Sequence, residues 1–166
     1  IDELKHILID SLRIRLRSDV PLAGFLSGGI DSSLVCSFIK HYFNRDLKTI
    51  CVSFDSDLLD ESEHARVVSK LIQSDHVNHK FNYKNLNLEI NKLVNHLDEP
   101  FGDYSLFPTS QACKVAKDLG FTVMMSGDGA DEIFGGYSNW YNHYKFKVFK
   151  QFKLINIISN YFLKYY

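Results

Sequence analysis

Residues 21–35 read PLAGFLSGGIDSSLV, and this stretch decides the fold. An apolar run from Leu22 to Leu26 leads into the turn Ser27-Gly28-Gly29, which is followed by an apolar-periodic segment that reaches Ile39. The run has the length of a buried strand and is too short for a helix. The order strand, glycine turn and helix start predicts an anion site, because the first N–H groups of a helix are unpaired and face the turn.

Asp31 is the unusual member of this turn, because a carboxylate beside an anion site repels the ligand unless a cation lies between them. Two interpretations are open. Asp is a good helix N-cap, and it is also a common ligand of a Mg²⁺ ion that bridges protein carboxylates and substrate phosphates. Ser27, Ser32 and Ser33 add hydroxyl groups. No Gly-Lys-Ser/Thr sequence follows the glycines, so the turn is not the P-loop of the nucleoside triphosphatases.

Composition narrows the class of protein. The chain has 166 residues with a net charge of −1, which argues against bulk attraction to nucleic acid. Cys36, Cys51 and Cys113 form no CxxC pair and lie in apolar segments, which predicts buried free thiols in a reducing cytoplasm. No apolar run of eighteen residues and no signal peptide is present, so membrane contact is not expected. The start at Ile1 and the apolar end suggest a piece of a longer protein.

Strand-like and helix-like segments alternate along the chain. Strands are predicted at residues 22–26, 49–54, 75–81 and 121–125, and helices at 1–17, 32–43, 61–72, 86–97 and from Pro108 in a first turn to Leu119. This alternation predicts an α/β fold with a parallel sheet, whose ligands bind beyond the carboxyl ends of the strands. The expected buried positions are Leu4, Leu8, Leu12 and Leu16, then Leu34, Val35, Phe38, Ile39 and Tyr42, and then Leu86, Ile90, Leu93, Val94 and Leu97.

A second acidic turn follows the last predicted strand. It reads Ser126-Gly127-Asp128-Gly129-Ala130-Asp131-Glu132. Acids gathered among glycines repel one another unless a cation or a cationic partner is bound. A ligand role for at least one of these acids is therefore favoured over an exposed structural loop.

Three other features have a structural and a functional interpretation. His76 and His79 would face opposite sides of a strand, so structural histidines are favoured over a shared metal. Arg13, Arg15 and Arg17 fit a solvated helix end better than a phosphate patch. After Trp140 the chain alternates lysines with aromatic residues, as in a membrane-surface helix or in a helix separated from its packing partner, and the second is favoured.

Four motifs carry a family resemblance. They are residues 27–33, Val52-Ser53-Phe54, residues 98–103 (DEPFGD), and residues 126–132 running into Phe134-Gly135-Gly136-Tyr137. Together they resemble the synthetase domain of the glutamine-hydrolysing asparagine synthetases, up to about Tyr141. The resemblance implies an N-type ATP pyrophosphatase (adenine nucleotide alpha hydrolase-like) fold that is incomplete at its C-terminus. Residues 1–141 would form this domain, and residues 142–166 a basic aromatic helical segment of it.

The resemblance also implies a reaction. The side-chain carboxylate of aspartate would attack the α-phosphorus of ATP, pyrophosphate would leave, and ammonia would then displace AMP from the aspartyl-adenylate. Asp31 and Asp131 would bind Mg²⁺, and Asp128 would act near the reacting centre as a base or orienting group. The implied nucleotide contacts are Leu26, Ser27, Gly28, Gly29, Asp31, Ser32, Ser33, Val52, Ser126 and Gly127.

The resemblance leaves the acceptor and the nitrogen source to be decided. The glutaminase domain of the family would lie outside this chain, since Cys36, Cys51 and Cys113 are internal, and it would supply ammonia from glutamine. One alternative is a related amidotransferase acting on another carboxylate, such as a surface-polysaccharide sugar or a β-lactam precursor. Another is a non-catalytic nucleotide-binding module.

Overall fold

The computed structural model describes residues 1–53, 60–81, 86–103, 105–140 and 144–145. The helices are α1 (Asp2–Arg15), α2 (Ile30–Phe43), α3 (Ser62–Leu71), α4 (Leu86–Val94), α5 (Leu106–Asp118) and α6 (Ala130–Phe134). The strands are β1 (Leu22–Phe25), β2 (Lys48–Ser53), β3 (Asp75–Lys80) and β4 (Val123–Met125). The chain divides into two compact units, Ile1–Gly127 and Asp128–Tyr166.

The four strands form one parallel sheet in the order β3-β2-β1-β4. Gly24 of β1 pairs with Thr49 of β2 on one side and with Met125 of β4 on the other. Parallel strands need crossover connections, and helices supply them here. The predicted α/β fold with a parallel sheet flanked by helices is confirmed.

The two faces of the sheet carry separate apolar clusters because successive strand residues point to opposite sides. Cys51 of β2 belongs to the larger cluster, together with residues of α1, α2 and α3. Ile50 and Val52 belong to the smaller cluster, together with Val115 and Ala116 of α5. The sheet is therefore covered by helices on both faces.

Helix α2 differs from its prediction in two ways. It begins at Ile30, two residues before the predicted start, and its buried residues are Cys36 and Ile39. Leu34 is 39% exposed and Tyr42 37% exposed, so their predicted burial is wrong. The reason lies in β1, where a Cβ on Gly24 would come within 2.9 Å of the Cys36 Sγ atom. Because Gly24 has no side chain, α2 packs closely against β1 at Cys36.

Helices α1 and α4 bury less than their apolar patterns predict. Leu12 and Leu16 are buried as expected, but Leu4 at the start of α1 is 42% exposed. Helix α4 ends at Val94 rather than Leu97, and none of its residues is buried. Apolar periodicity marks the face that can be buried, while the partner that covers it depends on the tertiary fold.

Helix α5 confirms the predicted helix signals. Pro108 lies in its first turn, and Gly120 follows its C-terminus at a φ of +84°. Gly120 N donates to Lys117 O, and Phe121 N donates to Ala116 O, which is the hydrogen-bond pattern of a Schellman motif. Cys113 on this helix is exposed, so its predicted burial is wrong, whereas Cys36 and Cys51 are buried.

Parts of the sequence predictions lie outside the described residues. Phe54 of the second motif is one of them, and so is the lysine-rich aromatic segment from residue 146 onward. The boundary predicted at residue 141 remains a prediction. Within the described residues, no helix has the length and apolar character needed to cross a membrane.

Candidate nucleotide site

The candidate site lies where the strand order reverses. The chain runs from β1 outward to β2 and β3, and then returns to β4 on the other side of β1. In open parallel sheets such a reversal leaves a crevice at the carboxyl ends of the two strands, where ligands bind. The turn at residues 27–29 follows β1, and Ser126 and Gly127 follow β4. Both segments predicted to bind the nucleotide therefore leave the sheet at this crevice.

Gly28 shapes the turn after β1 (called the phosphate loop below, residues 27–33). Its φ is +89°, a region that residues with a Cβ rarely adopt. A Cβ on Gly28 would lie 2.5 Å from Ala65 N and 2.5 Å from His64 Cβ, both in the first turns of α3. The phosphate loop therefore packs directly against the start of α3, an association that the sequence does not reveal.

Two serine hydroxyls hold the phosphate loop in shape. The Ser27 Oγ accepts a hydrogen bond from Gly29 N at 3.1 Å and lies 3.0 Å from the Ser32 Oγ. The Ser32 Oγ also accepts from Ser27 N at 3.2 Å. These contacts tie the end of β1 to the first turn of α2. Ser27 and Ser32 thus preorganise the loop in addition to any contact with a ligand.

The N-terminus of α2 is open. Gly29 is the N-cap residue, and no side chain caps the helix. The first intrahelical bond runs from Ser33 N to Gly29 O, so the amides of Ile30, Asp31 and Ser32 precede it and have no intrahelical acceptor. Asp31 is the second residue of the helix, which excludes its interpretation as the N-cap. Asp31 is half-buried, and its carboxylate makes no hydrogen bond or ion pair with any described residue.

Gly127 brings the turn after β4 against this helix end. A Cβ at Gly127 would lie 2.7 Å from Ser32 N and 2.8 Å from the Asp31 carbonyl carbon. The absence of a side chain therefore lets the two turns meet. In the same turn of α2 the Ser33 Oγ is buried and has no hydrogen-bond partner among the described residues. Such a hydroxyl loses about 1–3 kcal/mol of hydrogen bonding unless a ligand or water supplies a partner.

Three other residues of unit Ile1–Gly127 that were predicted to contact the nucleotide are partly or fully buried. Leu26 is fully buried in the core, and its amide donates to Ile50 O at 2.9 Å. Val52 is half-buried and packs against the smaller apolar cluster, which contains Val115 and Ala116 of α5. Ser126 is half-buried at the end of β4. The structure thus brings together the phosphate loop and Gly127, with Leu26 and Val52 supporting them from the sheet.

The second acidic turn belongs to the unit that starts at Asp128. Gly129 is the N-cap of α6, and Asp131 lies in its first turn with a carboxylate oxygen against Gly136. The Tyr137 hydroxyl donates to the Glu132 carboxylate at 2.6 Å, and this bond holds the pKa of Glu132 below its ordinary value. Glu132 is thereby engaged within its own unit. The predicted roles of Asp128 and Asp131 remain predictions.

The buried thiols are poor nucleophiles. Burial raises the pKa of Cys36 to about 12 and that of Cys51 to about 11, so both stay protonated near neutrality. His76 is half-buried and its Nδ1 lies 2.9 Å from the Thr49 Oγ1, while His79 is exposed. The contact with Thr49 supports the structural interpretation of His76. Within the described ranges, no three His, Cys, Asp or Glu side chains gather as a metal-binding group.

Solved structures share this fold. An NH3-dependent NAD synthetase from Campylobacter jejuni superposes with a TM-score of 0.54 and 14% sequence identity. The match covers 82% of this chain and 60% of that chain. An NMN synthetase from Francisella tularensis gives a TM-score of 0.53 at 16% identity over 82% of this chain and 58% of that one. The chain thus shares the α/β fold of these two synthetases.

Sequence comparison gives the family. The model of the asparagine synthase family matches residues 3–164, and the chain belongs to this family. Asparagine synthetase (glutamine-hydrolysing) 1 of Bacillus subtilis is 34% identical over 91% of this chain and 24% of its own length. A Methanocaldococcus jannaschii protein named for the same activity is 36% identical over 96% of this chain and 31% of its own length. The chain therefore spans about a third or less of these relatives.

Proposed function

We propose that this chain carries the ATP-pyrophosphatase chemistry of an enzyme that amidates aspartate to asparagine. ATP would be cleaved between its α- and β-phosphates, with an aspartyl-adenylate as the intermediate and AMP and pyrophosphate as products. The observation that carries the proposal is the N-terminus of α2, which no side chain caps and which the turn at Gly127 contacts. The chain that carries it belongs to the asparagine synthase family.

The groups at this crevice suit a polyphosphate. Unpaired helix amides and the helix dipole bind anions, and the preformed loop presents them without rearrangement. The Ser33 hydroxyl could satisfy its missing hydrogen bond with a phosphate oxygen. The nucleotide contacts proposed here are those of the phosphate loop, with Ser126 and Gly127 from the facing turn. Leu26 and Val52 would border the adenosine, Leu26 chiefly by supporting the loop from beneath.

Asp31 and Asp131 suit a magnesium ion by their chemistry. Mg²⁺ prefers carboxylate oxygens combined with phosphate oxygens. The carboxylates of Asp31 and Asp131 make no hydrogen bond or ion pair with other described residues, so both can serve as ligands. When bound, the ion would neutralise charge on the departing pyrophosphate. Asp128 would lie near the reacting centre and orient the acceptor.

The residues of this chain would act by positioning and charge stabilisation. The amides of residues 30–32 would hold the leaving phosphates while the aspartate carboxylate approaches the α-phosphorus from the opposite side. One well-placed hydrogen-bond donor of this kind is worth about 2.7–4 kcal/mol in comparable electrostatic sites. No protein nucleophile is needed, which agrees with the high pKa values of the Cys36 and Cys51 thiols.

The nitrogen would arrive as ammonia. We propose that it comes from glutamine through a glutaminase domain outside residues 1–166, as the names of the relatives suggest for those proteins. With ammonium salts supplied directly, the amidation should proceed without glutamine.

The experiment is a substrate panel. The complete protein is incubated with ATP, Mg²⁺ and ammonium, and with aspartate or another carboxylate in turn, and pyrophosphate, AMP and asparagine are measured. The proposal expects equal amounts of the three products with aspartate. Pyrophosphate release with other acids but never with aspartate would identify an amidotransferase with a different acceptor. ATP binding without pyrophosphate release under any condition would identify a non-catalytic nucleotide module.

A further inference from the structure

The fold places His64, an ionisable residue of α3, beside the phosphate loop. It is the third residue of α3, and its side chain is exposed. Its Cβ lies 2.5 Å from the point that a Cβ of Gly28 would occupy. The imidazole therefore extends from a backbone position packed against Gly28, two residues before the first amide that opens toward the crevice.

The phosphate loop has no basic side chain of its own. Residues 27–33 contain no lysine, arginine or histidine, so the loop itself offers only amides and hydroxyls to an anion. Lysine and arginine are the usual partners of phosphate groups, and protonated or neutral imidazole can also donate an N–H. A histidine at the rim would supply the donor that the loop lacks.

The imidazole of His64 is available for this task. It makes no hydrogen bond or ion pair with any described residue. Its acidic neighbour Glu63 is engaged by Arg66 on the same helix, and that contact holds the pKa of Glu63 below its ordinary value. Among the residues that the structure describes, the other acids nearby in the chain are Asp60 and Glu61, which are exposed, and Asp60 accepts a hydrogen bond from Ser62 N at 2.9 Å.

We propose that His64 binds the pyrophosphate end of the nucleotide, donating an imidazole N–H to a phosphate oxygen held by the phosphate loop. This inference rests on the proposed function of that loop. It gives α3 two contributions to the site: its backbone supports Gly28, and its third side chain contacts the leaving group.

The test measures binding of pyrophosphate alone, with magnesium, by isothermal titration calorimetry on the complete protein. His64→Ala should weaken binding about fivefold, the upper range for one exposed charged pair. His64→Lys should restore the affinity because it places an N–H donor at the same position. His41→Ala is the matched control, since His41 is an exposed histidine in the last turn of α2, the end of that helix away from the loop.

Kinetics give a second measure. Pyrophosphate should become a weaker product inhibitor of the His64→Ala enzyme by the same factor, while its melting temperature stays unchanged because the side chain is exposed. Wild-type-like pyrophosphate affinity in His64→Ala would overturn the role of His64 and leave the loop assignment intact. Failure of the wild-type protein to bind pyrophosphate would overturn both the loop assignment and this inference.

Discussion

Asp31 is the single residue whose replacement bears most directly on the proposed chemistry. It is half-buried in the first turn of α2, and its carboxylate has no partner among the described residues. Asp31→Asn keeps the size of the side chain and removes the charge that would bind magnesium. We expect pyrophosphate release to fall by on the order of 100-fold, as for the loss of a strong electrostatic group at a reacting centre. The measurement is steady-state pyrophosphate release at saturating ATP.

The fold of this variant should survive. An acid in the first turn of a helix contributes about 0.3–1 kcal/mol through the helix dipole, so Asp31→Asn should unfold only slightly earlier. Asp10→Asn is the control, because Asp10 is an exposed acid paired with Arg13 on α1. Unchanged turnover in Asp31→Asn would remove Asp31 from the metal site.

A substitution at Gly127 tests the contact between the turn after β4 and the first turn of α2. A Cβ there would lie 2.7 Å from Ser32 N, and a backbone atom cannot move aside as the end of a side chain can. Gly127→Ala should therefore push the turn after β4 from α2, weaken ATP binding, and destabilise the fold by about 1–3 kcal/mol. Urea unfolding and ATP titration measure the two effects. Gly102→Ala, with no atom within 4 Å of its added Cβ, should leave stability unchanged.

His76 predicts a pH dependence of stability. Burial lowers its pKa in the native state, although the charge of Asp75 opposes this shift. The unfolded chain has the ordinary value of about 6.5, so it binds protons first as the pH falls. The contribution of His76 to stability is therefore complete above about pH 6.5 and is lost progressively below it. Urea unfolding at about pH 8 and about pH 5.5 measures this difference.

Two variants separate this effect from general acid destabilisation. His76→Asn should lose less stability than wild type between the two pH values, since it cannot gain a proton. His79→Asn, on the exposed end of the same strand, should behave as wild type. An equal loss in wild type and His76→Asn would contradict the assignment.

Residue-level predictions from the sequence succeeded where local chemistry decides and failed where packing decides. The helix-ending role of Gly120 follows from its backbone freedom and is confirmed at φ +84°. Burial of Cys113 was wrong, because an apolar neighbourhood in sequence does not tell which side of a helix meets the sheet. The contact between Gly28 and α3 had no sequence signal, since it joins residues that only the tertiary fold brings together.

At the scale of elements, all four strands and the five predicted helices are present, with ends that differ by a few residues. Helix α2 shows why ends move: Ile30 enters the helix because Gly29, rather than Asp31, takes the N-cap position. Helix α4 shows a larger difference. Its predicted buried face has no buried residue, although an ion pair links the helix to α5.

Glu89 forms an ion pair that links α4 to α5. Its carboxylate lies 3.1 Å from the ammonium group of Lys114 on α5 and 3.1 Å from that of Lys92 on its own helix. Glu89→Gln should weaken this link, so the amides of α4 should exchange with deuterium faster while those of α5 stay protected. Hydrogen-exchange mass spectrometry measures both. Glu63→Gln, which breaks a pair within α3 alone, should leave α4 exchange unchanged; equal effects of the two variants would contradict the role of Glu89.

At the scale of the whole molecule, the alternation of strands and helices was enough to predict the parallel sheet, and it placed the candidate site at one edge of that sheet. The order β3-β2-β1-β4 was not predicted, and neither was the register. Buried parallel strands are nearly uniform apolar runs, so the sequence contains little that selects one neighbour over another. The reversal between β1 and β4, which creates the crevice, therefore had to come from the structure.

Nucleotide binding should stabilise the whole fold. A ligand that binds only the native state at 100 times its dissociation constant adds about 2.7 kcal/mol, which raises the melting temperature by roughly 5–10 °C for a domain of this size. We expect this shift with ATP and magnesium together, and a smaller one with ATP and a chelator. Thermal unfolding by differential scanning fluorimetry measures it. Equal shifts with and without magnesium would argue against a metal held by Asp31.

The pairing of Leu22 with Val123 has a consequence for biosynthesis. Strands β1 and β4 border the crevice but lie near opposite ends of the unit in sequence. During translation, β1, β2 and β3 therefore leave the ribosome well before β4 does. Long-range closure of this kind is slow. ATP, the proposed ligand, would find no finished site on the early nascent chain, and the docking of β4 would be the step that completes the proposed site.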